Sequence, residues 1–376
     1  MRFSQSGLNR KNSEMDINSR IEQVNVNFGH HLSISVTKRC PLRCTHCIVS
    51  SLPSNDLSLD LPNSVVKKIN DSFSFLSPKL KQISFTGGEP FLRTDIIDSI
   101  SSAARKFDIA CGAVTSASWA SSEKKAIKVL SELRYLSHIT ISSDIYHEKY
   151  LDRKNVRNAV RAAEKLKMSK SIRVCVPPIL TECHNQQLTE LKSEFGDLVH
   201  TQQVVDFGRG AELQVVNVMV SKIPSLPCLS SGPHITANGN MLPCCSTLSD
   251  EIDLQHPLNL GSALKNSVVE LVHGSHRNTL LTFIRLWGFG DVMKRLQEEF
   301  PNKFSKVVYA DEAQCTLCAT IMHDDEVVKF LSSWMDEIEQ VTNVAVGSWI
   351  HFDNKELLSS LKERKHEINL HRSISV

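Results

Sequence analysis

An α/β fold built around a parallel sheet is what this sequence predicts. Three observations carry the prediction. Six short β-rich runs alternate with helical runs between about residues 28 and 210, the alternation then stops, and no run is apolar enough to span a membrane. Strands in series with helices between them favour a parallel sheet with helices outside, either an open sheet or a partial barrel. In such sheets chemistry collects at the C-terminal ends of the strands.

Taken in order, residues 1–28 are polar, lack the apolar core of a signal peptide, and read as a flexible or peripheral leader. The expected strands are "HLSISVT" (31–37), "KQISFTG" (81–87), "IACGAVTS" (109–116), "SHITISSD" (137–144), "SIRVCVPP" (171–178) and "HTQQVVDFG" (200–208). Between them run amphipathic patterns such as "LPNSVVKKINDSFSFL", "DIIDSISSAARKF", "SEKKAIKVLSEL", "RKNVRNAVRAAEKL" and "LTELKSEF". This places a core at 29–215, a second module at 216–325 and a helical tail at 326–376. The second module opens with "GPHITANGNMLPCC", a hairpin pattern turning at Asn238-Gly239. The tail is amphipathic and expected to pack on the barrel or on a partner.

Composition narrows the function. The 376 residues are 41% hydrophobic and 22% charged, and carry a formal charge of +2, which gives no electrostatic case for nucleic acid or an anionic membrane surface. No stretch approaches the roughly 18 apolar residues of a membrane span. A cytoplasmic protein with reduced thiols is the expectation, and there 11 cysteines invite a metal reading before a disulfide one.

Three of them, Cys40, Cys44 and Cys47, crowd into the loop after the first strand, in "CPLRCTHC". Thiolates suit zinc or an iron–sulfur cluster. Structural zinc wants four ligands, usually as two pairs, and a 4Fe–4S cluster normally takes four cysteines. A single triplet is one short of either. A cluster held by three thiols keeps one iron open for an outside chelate. Zinc completed by His46, or three unrelated thiols, remain the alternatives.

This CxxxCxxC spacing after a first strand resembles the radical S-adenosylmethionine (SAM) superfamily. The resemblance implies a partial (β/α)6 TIM-like barrel, with Cys40, Cys44 and Cys47 on three irons of a 4Fe–4S cluster and SAM on the fourth. It also implies reductive cleavage of SAM to a 5′-deoxyadenosyl radical that abstracts a substrate hydrogen, fed by a flavodoxin- or ferredoxin-type donor. "FTGGEPFLR" after the second strand looks like the family's GGEP motif, giving Gly87, Gly88 and Glu89 as SAM-binding candidates. Gly87 and Gly88 would permit a close backbone approach, and Glu89 with local carbonyls could accept from the SAM ammonium group. "ISSDIYHEKY" resembles a ribose-contacting segment, which implicates Ser142 and Asp144; strand-end capping explains them equally well. Arg173 could pair with the SAM carboxylate or be a structural arginine, and His147 could face the substrate or be structural.

A second set of cysteines follows. Cys228, Cys244 and the CxxC pair Cys315 and Cys318 are similar to a SPASM extension that lacks its later cysteines, as in the shortened Twitch form. That implies one auxiliary 4Fe–4S cluster closed by four thiolates, although four cysteines suit zinc equally by count. Cys245 neighbours Cys244; spacing from Gly239 favours Cys244 as the ligand, leaving Cys245 as a packing residue or a hydrogen-atom donor. Cys111, Cys175 and Cys183 read as packing residues.

The leading expectation is a peptide-modifying enzyme of the kind that matures ribosomally made peptides, by crosslinking or side-chain oxidation. A small-molecule dehydrogenase acting on a sugar or aminocyclitol is the second. A zinc-stabilised binding module without SAM chemistry is the third.

Overall fold

The computed structural model describes residues 29–177, 179–205, 208–213, 228, 232–244, 256, 258–304, 314–359 and 361. The expected leader and Cys245 lie outside the described residues. Six parallel strands form as the sequence pattern predicts: β1 (His31–Thr37), β2 (Gln82–Gly87), β3 (Ala110–Thr115), β4 (Leu136–Ser142), β5 (Ser169–Val176) and β6 (Val199–Gln203). They stand in sequence order, and the β1 edge is extended by a hairpin of β7 (His234–Ile235) and β8 (Met241–Leu242), giving the order β6-β5-β4-β3-β2-β1-β7-β8. The fold is the expected α/β partial barrel, with β7 parallel to β1 and β8 antiparallel to β7. Gly239 makes the hairpin turn at φ +85°, a left-handed conformation that glycine adopts at least cost.

Period-2 alternation decides which side of each strand meets which layer. Leu32, Ile34 and Val36 of β1 join Ile83 and Phe85 of β2 and Ile139 and Ile141 of β4 in the buried core. The intervening residues are polar and bond to one another. Ser33 and Ser35 meet His234 Nδ1 and Nε2 at 2.8 and 3.0 Å, and His31 meets Ser84 at 2.9 Å. Parallel strands buried on both faces usually read as continuous apolar runs; here one face is a polar lumen, so the alternation persists.

The outer layer comprises α1 (Asn63–Leu76), α2 (Thr94–Arg105), α3 (Glu123–Glu132), the short α4 (Ile145–Glu148), α5 (Arg153–Lys165) and α6 (Glu182–Phe195). Helix α1 shows why these segments fold as they do: Val65, Val66, Ile69, Phe73 and Leu76 recur on one buried face. Burying Ile69 and Phe73 contributes about 1.5–3 kcal/mol each.

Beyond the hairpin the chain is helical: α7 (Val268–Arg277), α8 (Thr279–Trp287), α9 (Gly290–Glu299), α10 (Pro301–Phe304), α11 (Gln314–Met322), α12 (Asp325–Met335) and α13 (Ile338–Phe352). Helix α7 packs on α1 and joins the sheet core through Val268, Leu271 and Val272. The others build a second core around Phe283, Phe289, Leu317, Ile321, Leu331 and Val344. Helices α12 and α13, from the expected tail, thus share a core with α8 and α11. His273 Nδ1 and His276 Nδ1 of α7 lie 2.6 and 3.3 Å from Glu356 Oε1, and Arg277 Nε lies 3.3 Å from Glu356 Oε2. Burial alone would raise the Glu356 carboxyl, but the two imidazoles prevail and hold it down at about 2. No helix among the described residues is long and apolar enough to cross a membrane.

Candidate active site at the mouth of the barrel

Every strand from β1 to β7 sends a residue to one cavity at the C-terminal mouth. Ser35, Thr86, Thr115, Ser142, Arg173, Gln203 and His234 line it, together with Cys40, Cys44 and Cys47. The cavity proper is about 200 Å3 and opens to solvent at the barrel mouth.

The loop that carries the thiols is fixed by its backbone. Cys40 N–H donates to Leu52 O at 3.1 Å, and Lys38 N–H to Leu59 O at 2.8 Å. After β6 comes Arg209, whose Nε donates to Cys44 O at 3.0 Å, Nη1 to Ser51 O at 2.8 Å and N–H to Cys47 O at 3.0 Å. Below the loop, Asp60 accepts from Arg39 Nε and Nη2, both at 2.7 Å, from Arg93 Nη1 at 2.9 Å and from Thr37 Oγ1 at 2.5 Å. Burial would raise the Asp60 carboxyl, but these donors outweigh it and keep it below the usual range.

Gly87 and Gly88 owe their identity to this loop. Gly88 N–H donates to Thr37 O at 2.7 Å and Glu89 N–H to Arg39 O at 2.9 Å, stitching the GGEP segment to the residues just before Cys40. A Cβ on Gly88 would come within 2.1 Å of Arg39 O, and one on Gly87 within 2.3 Å of Thr37 O. The close backbone approach that the motif promised is thus made to the thiol loop, and both glycines also line the cavity.

The two carboxylates of the motif readings are placed differently from the other candidates. Glu89 is buried and accepts from Phe91 N, Thr115 Oγ1, Ser116 N and Ser116 Oγ, so it braces the loop from behind rather than lining the cavity. Asp144 is fully buried and caps α4, accepting from Tyr146 N at 3.1 Å and His147 N at 3.0 Å. The capping alternative describes Asp144, while Ser142, Arg173 and His147 do reach the cavity. Cys175 lines it too, with burial pushing its thiol up to about 12; Cys183, expected as a packing residue, is instead exposed at the start of α6.

Asp144 also orders a histidine pair that the sequence gave no reason to connect. Its Oδ1 lies 2.8 Å from His147 Nδ1, and its Oδ2 3.7 Å from His46 Nε2. Burial works against a charge on His147, but Asp144 and then Cys44 raise it to about 10; His46 is pushed down by burial to about 4. His147 thus sits between a buried carboxylate and the Cys44 sulfur.

Among the described residues, the sets of three or more metal-binding groups within 4.8 Å of one another are His46–Asp144–His147 and His273–His276–Glu356. Burial pushes the Cys40 thiol up to about 12, so it becomes a thiolate only by exchanging its proton for metal.

The second thiol set also converges. Cys228, Cys244, Cys315 and Cys318 line one small apolar cavity of about 30 Å3, bounded by Leu258, Leu281, Ile284, Phe289 and Met322. Three separate segments deliver them: Cys228 through its N–H on Ile284 O at 3.1 Å, Cys244 just beyond β8, and the CxxC pair from α11.

Residues 34–184 match the profile of the Radical SAM superfamily. Over 322 residues the chain is 21% identical to the "Putative peptide biosynthesis protein YydG" of Bacillus subtilis (strain 168), covering 82% of this chain and 97% of YydG. It is 30% identical over 203 residues to the PqqA peptide cyclase of Bradyrhizobium diazoefficiens, covering 51% of this chain and 47% of that one. Among solved structures, anSMEcpe with bound AdoMet and Cp18Cys peptide superposes with a TM-score of 0.47 at 14% identity, over 81% of this chain and 99% of that one. The thiol loop after β1 and the glycine segment after β2 both lie inside the matched segment, so residues 34–184 are similar to a radical SAM domain, a fold that implies a 4Fe–4S cluster and SAM.

Proposed function

We propose that this protein is a maturase of ribosomally made peptides, which uses SAM-derived radical chemistry to crosslink or oxidise a residue of a substrate peptide. The observation that carries the substrate class is the alignment with YydG, a peptide biosynthesis protein, across 97% of that relative's length. Cys40, Cys44 and Cys47 would hold three irons of the cluster and leave the fourth for SAM. When bound, the cluster and SAM supply an electron and a 5′-deoxyadenosyl radical that takes a hydrogen atom from the substrate.

The chain's own residues bind and orient. Gly87 and Gly88 would border the SAM site, with Ser142 available to its ribose and Arg173 to its carboxylate. Glu89 and Asp144 act from behind, Glu89 by fixing the glycine segment and Asp144 by holding His147 against Cys44. Arg209 keeps the loop closed over the cavity and limits water. Cys228, Cys244, Cys315 and Cys318 would hold an auxiliary 4Fe–4S cluster, since four thiols share one dry cavity. This reading divides the chain into a 29–215 core, a 216–325 auxiliary module and a 326–376 tail. A flavodoxin- or ferredoxin-type protein would deliver the electron.

Anaerobic reconstitution tests the proposal. Iron near eight per chain and 5′-deoxyadenosine formation after reduction are expected, with a modified precursor peptide detected by mass spectrometry. Turnover of a sugar or cyclitol, with every candidate peptide left unmodified, would replace the peptide reading with the small-molecule one.

A further inference from the structure

The foot of the barrel gathers a different donor set, at the opposite end of β1 from the thiol loop. His273 and His276 stand three residues apart on α7, a spacing that puts both rings on one face of a helix. Glu356 comes to them from just past α13, in a segment whose next residue, Leu357, belongs to the second core. Its Oε1 lies 2.6 Å from His273 Nδ1 and 3.3 Å from His276 Nδ1, so two ring nitrogens converge on one carboxylate oxygen. Arg277 Nε lies 3.3 Å from the other oxygen, Oε2, which leaves Oε1 turned to the rings.

The turn that carries Glu356 is itself fixed. Buried Asn354 donates through Nδ2 to His276 O at 2.9 Å and to Ser348 Oγ at 3.0 Å, and its Oδ1 accepts from Glu356 N–H at 3.3 Å. One side chain thus ties α7, α13 and the carboxylate together. The three donors border a cavity of about 300 Å3 walled by Leu32, Leu76, Leu80 and Val272. His276 is buried, while the His273 side chain is 45% exposed and gives access from solvent.

We propose that His273, His276 and Glu356 form a binding site for a zinc-type divalent cation, which clasps the second helical core to the foot of the barrel. Two imidazoles and a carboxylate are a zinc donor set, and ring nitrogens favour zinc and its neighbours over magnesium or calcium. Zinc held at about 2.0–2.1 Å sets tetrahedral ligand atoms roughly 3.3 Å apart. His276 Nδ1 and Glu356 Oε1 already stand at that separation, and the half-exposed His273 ring has room to reach it. The metal replaces the protons shared between the ring nitrogens and Oε1. Arg277, Lys79 and Arg285 add positive charge around the cluster, so the site suits a metal held by directed lone pairs rather than by charge alone. The clasp stands whether or not the peptide reading holds.

The test uses the full chain, reconstituted anaerobically with iron so that the thiols are occupied, then given zinc and desalted. About one zinc per chain is expected, with a zinc K-edge absorption spectrum fitted by nitrogen and oxygen neighbours alone. His273→Ala should bring bound zinc to background at unchanged iron. Asn354→Ala keeps the three ligands but loosens the turn, and should weaken zinc about 10–100-fold, as losses behind a metal's ligands do. Zinc should also raise the melting midpoint of the unmodified chain and leave that of His273→Ala in place, since a ligand of the folded state stabilises it. No bound zinc in the unmodified chain, zinc held through sulfur, or equal zinc in His273→Ala would each overturn the clasp. Should His273→Ala fail to accumulate, the chelator-reversible zinc shift of the unmodified chain, read with its absorption spectrum, decides the question.

Discussion

The two thiol sites are built in opposite ways. The first is one short loop: Cys40, Cys44 and Cys47 sit within eight consecutive residues and open into a cavity lined by serines, threonines and two arginines, Arg173 and Arg209. The second is assembled from segments far apart in sequence and sits in an apolar cavity beside a buried cation. At the first site the nearest buried charges include the carboxylates Glu89 and Asp144; at the second the buried charge is Arg285. The open site is kept in shape by the loop's own backbone bonds, whereas the closed site depends on the packing of α8 and α11. Damage at the first should therefore be chemical, and damage at the second structural.

Four predictions can break or sharpen that contrast. The largest effect belongs to the loop: Cys44→Ala should reduce 5′-deoxyadenosine formation to background while circular dichroism stays that of the parent. Loss of fold in that variant would erase the distinction between the sites. Next, replacing Cys315 and Cys318 together should remove about four irons, the content of one cluster, and lower the melting temperature because ligation and folding are coupled. Unchanged iron would show that these thiols hold no cluster.

A smaller effect is expected under the loop. Asp60→Asn leaves Arg39 and Arg93 facing a neutral partner, and urea unfolding should show a loss of about 3–5 kcal/mol, as when one member of a buried pair is removed. The pH dependence has a definite sign. The folded-state carboxyl of Asp60 is lowered, so its stabilisation is fully present above the ordinary aspartate range and fades as pH falls through the folded value. The smallest effect is at the far end of the barrel. Glu356→Gln should cost about 1–3 kcal/mol, the range for lost hydrogen bonds to charged groups. In the parent this contribution should be complete above the ordinary glutamate range and disappear as pH falls toward about 2, and a flat acid limb in urea titrations would contradict it.

How much could be read in the sequence follows the same division. Strands β1 to β6 and the CxxxCxxC loop are local patterns, and local patterns are legible. The convergence of Cys228, Cys244, Cys315 and Cys318 required a resemblance, because 87 residues separate the first from Cys315. Motif position located Glu89 and Asp144 at strand ends but not the direction of their side chains. Local donors decide that: Thr115 and Ser116 claim Glu89, and the N-terminus of α4 claims Asp144. Arg209 and Arg285 were missed because a lone arginine advertises no partner. The "GRG" at 208–210 after the last strand was the one hint of a clamp, since glycines flank a side chain that must meet the loop closely.

The edge pairing of β7 on β1 has a consequence for the spacing of the two thiol sites. Ser33 stands level with His234, and His234 level with Leu242, two residues before Cys244. From Ser33 the same strand climbs to Thr37, a rise of about 13 Å at 3.3 Å per residue, before the chain reaches Cys40. Because β8 runs downward, Cys244 leaves the sheet at the foot of that climb while Cys40 leaves at its top. The strand pair is thus a ruler between the two thiol sites, and their separation is fixed by backbone hydrogen bonds rather than by a linker that could stretch.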